Sequence, residues 1–353
     1  MAFDSRVPDA YKEDGYEPQL LSAEELVSLD YAEPHPLQLF MSRWWRRTKV
    51  MAKVGVVVAA VGIYPVMTVT SHRIDDRNID VANQQYWTSP EVGVAINKIA
   101  RELEVAGWAG DRANWHPQTR LTAMPAWQQA TTDALAEYVG LQADLASVEG
   151  IADTDLLAAS RLMQAAPNED MRPRLTSAAE ALNRYDTRLQ RGLAKKVKAI
   201  DTLKVQTALF AAWAITDQQD LNTQVFASDV EFPASKRDIT TFYGAKARAH
   251  VALEMIRAVH VRENALSAHS EVGPALRDAE AAWERAAKMR PLIVSNQPGD
   301  SALFSNHLAT MSLYVGAAEE AMMALEAALL ALPAGALEPV AALDPAIAST
   351  AAP

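Results

Sequence analysis

The chain has 353 residues and no cysteine, and its 44 acidic side chains outnumber 33 basic ones, for a net charge of -11. Thiol catalysis and disulfide stapling are thereby excluded. So is a general nucleic-acid binder, which needs a basic field to displace counterions. The length leaves room for a folded part of about 260 residues, enough for one large core or two smaller ones.

Residues 1–42 come first. Asp4, Asp9, Glu13, Asp14, Glu17, Glu24, Glu25, Asp30 and Glu33 stand against only Arg6 and Lys12, and the apolar content is too low for a core, so a disordered acidic cytoplasmic tail is expected. Ser22 and Glu25 have capping-box spacing beside Leu20, Leu21, Leu26, Val27 and Leu29. That pattern reads either as incidental helicity or as a docking motif.

Residues 43–71 read as a basic flank and a transmembrane helix. Val50 to Val69, VMAKVGVVVAAVGIYPVMTV, holds one charge, Lys53, whose long stem can carry its ammonium to the headgroups. About 20 residues at about 1.5 Å each match a hydrocarbon core of about 30 Å. Trp44 and Trp45 at one end and Tyr64 near the other suit the interfaces; a buried core helix is the alternative. Arg43, Arg46, Arg47 and Lys49 precede the run, whereas Arg73 and Arg77 behind it are balanced by Asp75, Asp76 and Asp80. The N-terminus is therefore expected in the cytoplasm and the C-terminal domain in the periplasm, with an uncleaved signal anchor in a bacterial inner membrane. Pro65 is expected to bend the helix. Gly55, Ala59 and Gly62 share one face, a candidate packing surface for a second copy in a homo-oligomer.

The fold class expected overall is all-α, with the anchor followed by a large helical-bundle domain over residues 72–332. Ser89-Pro90-Glu91 opens a helix that reaches Gly107. Trp108, Trp115, His116, Pro117, Met124, Pro125 and Trp127 then make an aromatic linker, whose rings serve packing or wall a pocket. Helices follow over 126–148 and 154–166. From Pro173 to Asp229 no proline intervenes, and Leu175, Leu182, Leu189, Leu203 and Phe210 keep a seven-residue register, with Leu193, Ile200, Ala214 and Leu221 at the other seam position. One long coiled-coil-like helix is expected, or two nearly continuous ones if Gly192 and Lys196 break it. Arg184, Arg188, Arg191, Lys195, Lys196, Lys198 and Lys204 form a basic stripe near the same place, either a solvated face or a surface for an anionic partner. Helices are expected over 238–267, 274–289 and 301–332, with a β-branched strip at Pro291–Asn296 and a flexible Ala/Pro-rich tail over 333–353.

No zincin spacing, Walker loop, dinucleotide fingerprint or nucleophile elbow occurs, so no catalytic, cofactor-binding or metal residue is assigned. His250, Glu254 and His260 make the nearest metal-like grouping, and a hydrogen-bonded pair is the expected reading. Asn296, Asn306 and His307 form a candidate polar cluster near the start of the last helix. Such a trio either recognises a polar ligand or caps helix ends and ties a loop down.

The Gly107-Trp108 turn, LTAMPAWQ at 121–128, Asp238 with Phe242, Tyr243 and Lys246, PLIVSN at 291–296 and FSNHL at 304–308 resemble a bacterial family known as domain of unknown function 2333. The resemblance spans residues 45–330. It implies a single-span, largely helical inner-membrane protein of Gram-negative bacteria, and because the family has no established activity it transfers no catalytic residue. The expected function is a scaffold or interaction module of the cell envelope with protein partners and no cofactor. The alternative is a periplasmic ligand-binding or hydrolytic domain using a pocket near the aromatic linker and Asn306/His307.

Overall fold

The computed structural model describes residues 36–71, 74–80, 86–113, 115–164, 170–227, 231–232, 234–262, 266, 268–298 and 305–332. The Ser22/Glu25 motif, the rest of 1–35, Gly299, Phe304 and the tail over 333–353 lie outside them, as do the side chains of Arg43, Tyr64, Pro65 and 67–71. Every regular element among the described residues is helical, so the fold is all-α. The β-branched strip at Pro291–Asn296 forms no strand, and among the described residues there is no strand beside it to pair with its backbone.

The chain divides after Ile63 into two units. α1 (Pro36–Ser71) is one helix that continues through Pro65. Met51, Val54, Val56, Val57, Val58, Val61, Ile63 and Val66 are all exposed, and at about 100° per residue they point in every direction. A core helix would bury a face, and these residues bury none. Among the described residues no helix is long and apolar enough to cross a membrane. Counting back from Ile63 takes in Lys53, Lys49, Arg47 and Arg46, while the apolar run ahead enters residues whose side chains are not described.

The second unit is a helical bundle. Its elements are α2 (Pro90–Ala100), a π-helical turn (Arg101–Ala106), the short α3 (Pro117–Arg120), α4 (Ala123–Leu145), α5 (Thr154–Met163), α6 (Met171–Gln190), α7 (Ala199–Val225), α8 (Lys236–Arg262), α9 (Val272–Ala287) and α10 (His307–Leu330). α8 is the axis, packed against α2, α4, α7, α9 and α10. The expected inward residues Phe242, Ala245, Ala249, Leu253 and Ile256 are buried, but so are Ala247, Val251, Ala252, Met255, Ala258 and Val259. A helix apolar all round has neighbours all round.

Side-chain pairs fix the directions. Asp217 of α7 pairs with Arg248 of α8, and Thr202 accepts from Arg262, so α7 and α8 are antiparallel. Arg257 and His260 pair with Glu284 and Glu280 of α9, again antiparallel, and Ser312 of α10 donates to Asn222 of α7. Trp127 of α4 packs edge-on to His250, whereas Tyr138 meets Gln206, one turn on from Thr202, so α4 runs parallel to α8. One end of the bundle therefore gathers the start of α8, the ends of α7 and α9 and the starts of α4 and α10. The chain enters from this tether end: Asp76 meets Lys246 and Arg290 about 15 Å along α8 from its start, and the far end of α8 lies about 24 Å beyond.

The proline-free stretch is two helices and not a single seam. α6 ends at Gln190 and α7 starts at Ala199, with Gly192 in the left-handed region at φ +70° between them. The halves have different partners, α5 and α2 for α6 but α10, α8 and α4 for α7. Leu175, Leu182, Leu203, Phe210, Ala214 and Leu221 are buried as the heptads require, while Leu193 in the break is 69% exposed. Members of the basic stripe have structural work: Arg184 and Arg188 clamp Asp155, Arg188 also binds Asp153, the cap of α5, and Lys195 donates to Ser147 O. Leu203→Ala should cost about 2–5 kcal/mol in chemical denaturation, and Leu193→Ser less than about 0.5 kcal/mol; comparable losses at both would restore the continuous seam.

Candidate functional site

Asn296, Asn306 and His307 do converge. Asn306 caps α10, its side-chain oxygen accepting from Ala309 N at 2.9 Å, and its amide donates to Asn296 Oδ1 at 3.2 Å. Asn296 in turn donates to Gln224 O at 2.9 Å, the last turn of α7, and to Asp238 Oδ1 at 3.2 Å, the first turn of α8. His307 holds Ser295 from both sides: its Nδ1 accepts from Ser295 N at 3.1 Å and its backbone N donates to Ser295 O at 2.9 Å. Burial lowers the His307 pKa, which favours the neutral ring that can accept. Asp238 is occupied as well, since it and Ser235 form a reciprocal capping box at the start of α8. The trio thus ties the 291–298 segment to three helix ends and spends its hydrogen bonds doing so.

A cavity of about 380 Å³ opens beside this knot, lined by Gln224, Glu231, Lys236, Arg237, Asp238 and Asn296 among others. A second, of about 250 Å³, is bounded by Thr119, Leu121, Pro125, Ala126, Lys236 and Thr240. Lys236 stands on the wall of both; of these two cavities, the polar cluster borders the first and the end of the aromatic linker the second. The linker itself is largely packing: Trp127 and Met124 are buried, Trp108 nearly so, and Trp115 is exposed. His116 caps the short α3 by accepting from Gln118 N at 3.1 Å.

The largest concentration of buried charge lies elsewhere, around the middle of α8. Lys246, His250 and Glu254 recur every four residues and so share one face, all at most 3% exposed. Residues 74–80 lie against that face as a strap. Asp76 accepts from Lys246 Nζ at 2.7 Å and from Arg290 Nε at 2.8 Å. Ile79 N donates to Glu254 Oε2 at 3.2 Å. Arg101 of the π turn donates to Arg77 O at 2.6 Å and Asn78 O at 3.3 Å. Burial pushes the Asp76 carboxyl up, but the hydrogen bonds from Arg290 and Lys246 outweigh it and hold the group below the usual carboxylate range.

From the other side α2 brings Lys98, fully buried, to 3.5 Å from His250 Nδ1. The Lys98 and Lys246 ammonium nitrogens lie 5.0 and 5.8 Å from the Trp127 ring centroid, within cation–π range. The ring's Nε1 donates to Glu102 Oε1 at 2.8 Å, and Gln128 Nε2 donates to Glu102 Oε2 at 3.1 Å. Burial lowers the Lys98 pKa, and burial with the Lys98 charge drives His250 well below its ordinary value. Burial raises Glu254. Neither cavity is lined by Lys98, His250 or Glu254. His260, offered with His250 and Glu254 as a metal-like grouping, is engaged by Glu280 instead, and among the described residues no group of three or more His, Cys, Asp or Glu could hold a metal ion.

The i, i+4, i+8 spacing of Lys246, His250 and Glu254 is the sequence signal for this cluster. Of these, His250 and Glu254 stand out in the sequence as a pair, but nothing local adds Asp76, Lys98 and Glu102, which belong to elements far away in the chain. No protein-family model matches the chain, and no curated protein or solved structure is significantly similar to it.

Two outcomes follow from the cluster. Asp76→Ala leaves the Lys246 ammonium buried without its partner and should cost about 3–5 kcal/mol, whereas Arg290→Ala, at an arginine whose side chain is 63% exposed, should cost less than about 1 kcal/mol; chemical denaturation of the two variants checks the order. His250 is neutral in the fold but takes a proton when unfolded below about pH 6.5. Stability should therefore fall as pH drops below about 6.5 toward the depressed native value, with a slope of up to about 1.4 kcal/mol per pH unit. Glu254 acts oppositely, binding its proton more tightly in the fold. His250→Gln should flatten the decline in melting temperature between about pH 6.5 and 5, and an unchanged slope would assign it to other groups.

Proposed function

We propose that this protein is a single-span protein of the bacterial inner membrane whose helical domain serves in the periplasm as a scaffold or interaction module for envelope proteins. The observation that carries the reading is α1, whose valines and isoleucine are exposed in every direction behind the exposed basic residues Arg46, Arg47 and Lys49. Leaving that surface in water costs about 25 cal/mol for each Å², and a hydrocarbon environment removes the cost. The unbroken run of described side chains ends at Ile63, and the sequence carries the stretch to Val69, which brings it to about 20 residues. The basic flank on the N-terminal side orients that end toward the cytoplasm. The motif resemblance to the domain of unknown function 2333 family points to the same topology.

A scaffold is favoured over a catalyst by what the polar residues do. Asn296, Asn306 and His307 join helix ends, and the Lys98–His250 cluster sits away from both cavities. The ligand-binding alternative keeps one observation, the 380 Å³ cavity that Asn296 helps to line.

Alkaline carbonate washing of cell membranes should leave the full-length protein in the pellet, and deletion of residues 36–71 should release it. Full-length protein in the supernatant would overturn the anchor. The Gly55, Ala59, Gly62 face has room for a partner, since a Cβ at either glycine would meet nothing within 4 Å. Gly62→Ile should weaken dimers of the membrane-embedded protein in a crosslinking assay; undiminished dimers would confine assembly to the bundle.

A further inference from the structure

The tether end of the bundle carries an apolar surface that the packing leaves uncovered. Leu292 is 96% exposed and Ile293 52%, on the segment that Asn296 and His307 hold in place. Phe226, at the end of α7, is 83% exposed, and Phe232 is 71% exposed; each is next to or close to residues lining the 380 Å³ cavity that Asn296 shares. Basic side chains stand among them. Lys236 and Arg237 are exposed at the start of α8, and Arg290 precedes Leu292 by two residues. Asp238 is turned inward to Ser235 and Asn296, which leaves Glu231 as the acidic group on the cavity wall.

Exposed apolar residues are not confined to this end. Val148, Ile151 and Leu193 are exposed at the far end, tied together where Lys195 donates to Ser147 O. What separates the two ends is the tether. Asp76 is five residues beyond Ser71, the end of α1, a reach of at most about 17 Å in extended chain, and its carboxylate is bound by Arg290. Lys246 lies about 15 Å from the start of α8 and about 24 Å from its end, and the strap runs from Lys246 toward Glu254, so the chain ahead of Asp76 comes from the side of the start of α8.

We infer that the tether end is a lipid-facing surface: Phe226, Phe232, Leu292 and Ile293 enter the interfacial region of the leaflet from which α1 emerges, and Lys236 and Arg237 meet anionic phospholipid headgroups. This rests on the reading of α1 as a membrane span. Aromatic and apolar side chains beside basic ones are the combination that binds an anionic interface, and attachment through a strap locked to the same end keeps that interface within reach.

Because the chain has no cysteine, single cysteines can be labelled uniquely with an environment-sensitive fluorophore. Full-length Leu292→Cys, Phe232→Cys, Leu193→Cys and Val58→Cys proteins are reconstituted into vesicles of phosphatidylethanolamine and phosphatidylglycerol that contain a nitroxide-labelled phospholipid. Circular dichroism confirms that each variant keeps its helix content. The labels at 292 and 232 should emit to the blue of the label at 193 and be quenched by the nitroxide lipid, while the label at 193 is quenched by aqueous iodide. Reversal of Lys236 and Arg237 to glutamate, or omission of phosphatidylglycerol, should reduce lipid quenching at 292. A label at 292 as open to iodide as the one at 193, with the label at 58 still quenched by lipid, overturns the inference and leaves the anchor standing. Iodide quenching at 58 overturns the anchor and the inference together. Protection at 292 from both quenchers assigns the surface to a protein contact and overturns the inference as well.

Discussion

A helix enclosed on every side has no direction in which to send a charge. α8 is packed by α2, α4, α7, α9 and α10, and yet it carries Lys246, His250 and Glu254 along one line. Lys246 above all must be met inside the protein, because an unpaired buried charge costs far more than the packing around it returns. The strap supplies Asp76 to Lys246 and the Ile79 amide to Glu254, α2 supplies Lys98 to His250, and the π turn supplies Glu102 to the Trp127 ring that lies beside both lysines. Residues 74–80, which contain no helix, are on this account as much part of the core as the helices are.

The same requirement gives the bundle a direction. Asp76 can bind Lys246 only near the N-terminal third of α8, so the chain enters at the end where α7 and α9 finish and α10 begins. That end also holds the Asn296, Asn306, His307 knot, and the two features share the segment after α9: Arg290 reaches the strap, while Ser295 and Asn296, five and six residues later, reach α10, α7 and α8. Loops that might have been free to vary in position are thereby held from two sides.

Much of the helical order was legible from apolar periodicity and proline placement, and the heptad residues Leu175, Leu182, Leu203 and Phe210 are buried as their register requires. The break at Gly192 was legible as a weakness but not as a change of partners. Register describes which residues of one helix share a face, and says nothing about whether successive stretches face the same neighbour. Asn296, Asn306 and His307 could be grouped because a short turn separates them in the chain. The buried charges could not, since Asp76 and Lys246 are 170 residues apart and only the fold brings them together. Lys98 in particular reads as an ordinary solvated lysine of an amphipathic helix, and nothing local indicates that α2 lies with that side inward.

Residues of the aromatic linker and of the last loop are used in the same way. Trp127 and Gln128 belong to the Glu102 network, Lys246 to the strap, Asn296 and His307 to the knot. A histidine flanked by two amides looks like a ligand site when the chain is read alone, because those groups are the ones a ligand would need. They are also the ones helix ends need, and here the helix ends take them. What the knot leaves unspent is the apolar outer side of its own loop, Leu292 and Ile293, which make no demand on the fold and are set outward by it. Composition cannot choose between that surface and the equally apolar Val148, Ile151 and Leu193, since the side chains are of one kind. Position can, because Leu292 and Ile293 lie on the segment that Arg290 ties to the strap, whereas Val148, Ile151 and Leu193 lie at the opposite end of the bundle.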